Sequence, residues 1–106
     1  MSDDSLDFNV NLNNFSGSLE ILLDLAKSQK VDLEKISITK LADQFHQYLM
    51  EKENLNLEIA SEYLLMATWL TYLKSKLLLP ETDEDEFKAF EVAEKLKLQL
   101  KKIRVN

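Results

Sequence analysis

The chain has 106 residues, 45% of them hydrophobic and 30% charged, which suits one ordinary soluble domain near the small end of what buries a self-sufficient core. A formal net charge of −6 argues against nucleic acid as a direct partner, because phosphate binding needs clustered Lys and Arg. The absence of Cys excludes disulfides, thiol nucleophiles and cysteine metal sites, and a single Gly and a single Pro leave too little turn chemistry for an all-β fold.

Residues 1–7 are acidic and Ser-rich, lack the basic-then-apolar order of a secretory signal, and read as a disordered tail. Phe8, Val10 and Leu12 alternate with Asn9, Asn11 and Asn13, the period of a half-buried strand. A lone strand must lie extended over the helices or pair with another chain. Gly17 and Ser18 open a first helix to about Ser28, with Leu19, Leu22, Leu23 and Ala26 at i, i+3, i+4 and i+7. Asp32 is expected to cap a single turn, with Val31, Leu33 and Ile36 holding that connection on the core. Ser37 or Thr39 starts a second helix to about Glu53, apolar along Ile38, Leu41, Ala42, Phe45 and Leu49.

The longest uninterrupted stretch, LEIASEYLLMATWLTYLKSKLLLP from Leu57 to Pro80, reads as one amphipathic helix over 57–79. Glu58, Glu62, Lys74 and Lys76 interrupt it too often for a bilayer span, so no membrane association is expected. Ile59, Tyr63, Met66, Leu70, Leu73 and Leu77 form the stripe expected to be core, with Ala60 and Ala67 beside it. Leu65, Trp69, Tyr72 and Leu79 fall on a different side, flanked by Glu62 and Lys76. With Lys76 they are the candidate partner-binding residues, since one neighbour cannot bury both faces. The isolated domain is then expected to be either self-associated or incomplete.

After Pro80, the run ETDEDE is a solvated acidic break that also looks like a helix start. Acids at its front and Lys95, Lys97, Lys101, Lys102 and Arg104 at its back match the helix macrodipole over 85–103. Ala89, Ala93, Leu96, Leu100 and Ile103 give it an apolar stripe. Catalytic signals are weak. His46 stands off the apolar stripe as an ordinary surface histidine, the acids lack calcium-loop spacing, and the lone Gly makes no phosphate loop. No catalytic residue, cofactor or metal is expected. Asp4, Ser5 and Leu6 spell the arm-bearing tripeptide of acyl carrier proteins, the alternative reading, but only three residues precede them where a carrier has a whole helix.

The order of pieces, FSGSLEILL, then ITKLADQF, then ASEYLLMATWLTYLKSKLLLP, closely resembles the N-terminal part of segregation and condensation protein A, the bacterial kleisin family. The matching positions include Phe15, Gly17, Leu19, Leu22, Leu23, Gln44, Ala60, Ser61, Glu62, Met66, Ala67, Leu70, Lys74, Ser75 and Pro80, within residues 8–80. Ser18 and Glu20 stand where the family usually has Pro and Asp, and Phe45 replaces a Tyr. The resemblance implies an all-α bundle of three to four helices with a short extended N-terminal segment. It divides the chain into a tail over 1–7, a kleisin N-terminal domain over 8–80, and an acidic break with a further helix, the start of a linker, over 81–106. It also implies a non-enzymatic scaffold that binds the coiled-coil neck of an SMC ATPase, reaches a ScpB dimer through a central segment largely absent here, and meets DNA only indirectly in the nucleoid-associated cytoplasm. Family members run to more than twice this length, so the chain reads as a fragment or a naturally short relative.

Overall fold

Helix-favouring runs separated by short polar connections give four helices in the computed structural model, which describes residues 12–104. They are α1 (Ser16–Lys27), α2 (Ile38–Asn54), α3 (Ser61–Leu78) and α4 (Asp83–Arg104). The result is a small all-α bundle, with no strand among the described residues. The expected tail, and all of the expected strand except Leu12, lie outside the described residues; Leu12 opens a 3-10 turn, Leu12–Phe15, packed against the core.

Three of the four helix starts have a side-chain acceptor for their free N–H groups. In α2, Ser37 Oγ accepts from the Lys40 N–H at 3.1 Å, and ahead of α4 Thr82 Oγ1 accepts from the Asp85 N–H at 3.0 Å. Helix α1 has no cap of its own. Glu62, in the first turn of α3, supplies one across the bundle, its Oε2 accepting from the Ser18 N–H at 3.0 Å and the Ser18 hydroxyl at 3.2 Å. A Cβ at Gly17 would stand 3.3 Å from that same oxygen, so the glycine lets the carboxylate approach.

Three local expectations are corrected. Helix α3 begins at Ser61 rather than near Leu57, because Asn56 turns left-handed at φ 61° and Ala60 is extended at φ −65°, ψ 148°. Asp32 precedes a 3-10 turn, Leu33–Lys35, but its side chain caps nothing; its carbonyl accepts from the Lys35 N–H at 2.8 Å. Leu33 and Ile36 are buried as expected, whereas Val31 is exposed. The connection between α1 and α2 is instead held by two glutamines. Gln44 donates to the Leu25 carbonyl and to Ser28 Oγ, while Gln29 donates to Gln44 and to the Ser37 carbonyl and accepts from the Ser37 N–H.

The core joins Leu19, Leu22 and Ala26 of α1, Leu41, Phe45 and Leu49 of α2, Met66, Leu70 and Leu73 of α3, and Ala89, Ala93, Leu96 and Leu100 of α4. Helix α4 packs on α1, on α3 and on the Leu33–Lys35 turn, so its apolar stripe is buried within this chain. That packing overturns the expectation for Trp69, which is 7% exposed and part of the core. Trp69 and Lys76 lie about two turns apart on one side of α3, and the Lys76 ammonium sits 3.2 Å from the Asp85 carboxylate at the start of α4. The neighbour required to cover that side is therefore α4. On the other flank Lys74 pairs with Asp43 of α2. A helix held between two neighbours needs a wider apolar arc than a single stripe.

Candidate docking surface

 

Besides its tyrosines, helix α3 carries three ionisable side chains, Glu62, Lys74 and Lys76. Each is turned sideways toward a neighbour in the bundle: Glu62 to Ser18, Lys74 to Asp43, and Lys76 to Asp85 at 3.2 Å with Glu81 at 3.8 Å. The Lys76 ammonium is held charged above its ordinary value, first by the hydrogen bond to Asp85, against the opposing effect of desolvation. The outward side of α3 is left without charge. Leu64, Thr68, Thr71 and Ser75 follow one another there at spacings of four, three and four. The Thr68 hydroxyl donates to the Leu64 carbonyl at 3.0 Å, so its methyl is the end left for a neighbour.

Beside this row, an open groove of about 650 Å³ runs between α2 and α3. Its α2 wall is His46, Met50 and Glu53, and its α3 wall is Leu64, Thr68, Thr71, Tyr72 and Ser75. Leu49, Ile59 and Ala67 lie between them. Met50 and Leu64 are half open to solvent, apolar side chains that this chain does not cover. The groove offers shape and apolar surface, with His46 and Glu53 as its only ionisable groups besides Tyr72. Among the described residues no three His, Cys, Asp or Glu side chains are grouped so as to hold a metal ion, and no helix is long and apolar enough to cross a membrane.

The sequence-derived candidates separate in three ways. Tyr72 lines the groove, with the Lys76 ammonium 5.5 Å from its ring centre. Leu65 and Leu79 are exposed, at 60% and 75%, but lie outside the groove lining. Trp69 and Lys76 are engaged on the α4 side. The α2 wall was missed, because nothing in one helix's periodicity says which neighbour stands beside it. The Leu64, Thr68, Thr71 and Ser75 row was a readable signal, being an uncharged stripe on a helix whose core stripe was already assigned.

The family model for Segregation and condensation protein ScpA matches residues 25–104. The chain belongs to the ScpA family. The match runs through α4, past the residues that carry the motif resemblance. Among curated ScpA proteins, that of Clostridium acetobutylicum is 44% identical over 78 residues, covering 74% of this chain and 31% of the relative. That of Mycoplasma mobile is 43% identical over 83 residues, covering 76% and 34%. That of Halothermothrix orenii is 38% identical over 78 residues, covering 74% and 32%. The chain thus spans about a third of the length of the ScpA relatives it matches. No solved structure matches it.

Proposed function

We propose that this chain is a non-enzymatic scaffold segment of an SMC condensin complex, acting in chromosome condensation and segregation by docking on the coiled-coil neck of the SMC ATPase. The observation that carries this reading is the uncharged outer side of α3 beside an open apolar groove, in a chain that belongs to the ScpA family. A coiled coil presents helices, and an apolar groove between two helices is the shape into which a further helix packs. Leu65, Tyr72 and Leu79 extend the contact around the groove, while Trp69 and Lys76 fix the position of α3 from behind. DNA is met only through the partner, in keeping with the net charge of −6, and ATP hydrolysis belongs to the SMC subunit. Contact with a ScpB dimer is assigned to a central segment outside this bundle, and the working place is the nucleoid-associated cytoplasm. The acyl-carrier alternative is not favoured by the family match, and its Asp4, Ser5 and Leu6 lie outside the described residues.

The test is binding of a purified SMC neck fragment from the same organism, measured calorimetrically against Leu64→Arg and Thr71→Arg. Each places a charge in the apolar contact and is expected to weaken binding by at least about thirtyfold, or roughly 2 kcal/mol. Thermal stability should barely change, because both positions are exposed. Unchanged affinity in both variants would remove the groove as the neck-binding surface.

A further inference from the structure

The outward side of α4 carries a second apolar surface, separate from the groove. Phe87, Phe90 and Leu98 are 63%, 58% and 56% exposed. Phe87 and Leu98 stand about three helical turns apart and so share a side, opposite the stripe formed by the buried Ala89, Ala93, Leu96 and Leu100. The first turn brings Asp83 and Glu84 to this surface, and the last turn brings Lys101 and Lys102. The helix macrodipole accounts for the order of those charges, but not for large apolar side chains left open between them.

We infer that this side of α4 pairs with the same side of a second copy of the chain, the two helices running antiparallel. When Phe87 faces Leu98 of the second copy, the same register brings Glu84 beside Lys102 on one flank of the contact and Asp83 beside Lys101 on the other. Two-fold symmetry makes every such contact twice. Parallel pairing would instead set acid on acid and base on base. The contacts within one chain that compete are weak, Glu84 with Lys88 at 3.6 Å and Lys101 with Glu34 at 3.9 Å, both between solvent-accessible side chains.

Glu91 and Glu94 approach each other near the symmetry axis, a like-charge cost. Glu94 is compensated within its own chain by Lys97 at 2.9 Å. A single helix pair lies at the low end of specific interface sizes, so the dimer is expected to dissociate at roughly ten to a hundred micromolar. None of Phe87, Phe90 and Leu98 lines the groove between α2 and α3, so pairing leaves the groove of each copy open. The inference is independent of what occupies that groove.

Sedimentation velocity of the 106-residue chain over a wide concentration series tests it. The expected result is a monomer that converts to a dimer, with Phe87→Ser weakening association at least about tenfold. Two charge-reversed chains, one with Asp83→Lys and Glu84→Lys and the other with Lys101→Glu and Lys102→Glu, should each be monomeric yet form a heterodimer when mixed. Circular dichroism of each confirms that helicity is retained, and recovery in the mixture cannot arise from unfolding. A wild-type monomer throughout, a dimer indifferent to the reversals, or a mixture that stays monomeric would overturn the inference.

Discussion

Trp69→Ala separates core from docking surface most sharply. The indole is 7% exposed, and its Nε1 is buried with no acceptor among the described residues. Truncating a buried Trp costs about 3 to 5 kcal/mol through lost burial and the cavity left behind. Part of that is returned, because an unsatisfied buried N–H costs about 1 to 3 kcal/mol and leaves with the ring. A net loss of about 3 kcal/mol is expected. At roughly 4 °C or more per kcal/mol for a domain of this size, the melting temperature should fall by at least about 12 °C. Trp69→Phe keeps a ring, sheds the orphan donor, and should lie within about 1 kcal/mol of wild type. Urea titration followed by circular dichroism is the assay, since both substitutions remove the only Trp and with it the fluorescence signal. Hydrogen exchange should show α4 losing more protection than α2 in Trp69→Ala. A loss below about 0.5 kcal/mol, the range of ordinary surface substitutions, would show that the indole is not part of the core.

Two further outcomes follow from the polar contacts. Gln44→Ala removes donors to the Leu25 carbonyl and Ser28 Oγ and should cost about 1 to 2 kcal/mol, with faster amide exchange concentrated in residues 25–37; uniform loss of protection would count against a local clamp. Lys76, whose value is raised above 10.5, gives stability that is fully present below 10.5 and is lost as pH rises through the higher folded value. Wild type should therefore lose denaturant resistance more steeply than Lys76→Met on strongly alkaline titration, and parallel curves would show that the Asp85 contact does not contribute.

The periodicity of Leu, Ile and Ala fixed helix existence and the core faces of α1, α2 and α4, since which residues share a side follows from 3.6 residues per turn alone. The motif from Ala60 to Pro80 carried the family. Helix ends were less legible where a tertiary partner decided them: α1 is capped by Glu62 from another helix, and the start of α3 waits on the backbone turns at Asn56 and Ala60. Trp69 shows the limit most clearly. Its angular position was readable, but whether that side met solvent, a partner or α4 depended on how the last helix folds back, and Lys76 with Asp85 records that choice. The groove is likewise a property of two helices together, with His46 and Met50 supplied from one and Leu64 and Thr71 from the other. Sequence spacing determines which side chains stand together on a helix, whereas packing between distant segments determines which of those sides remain open.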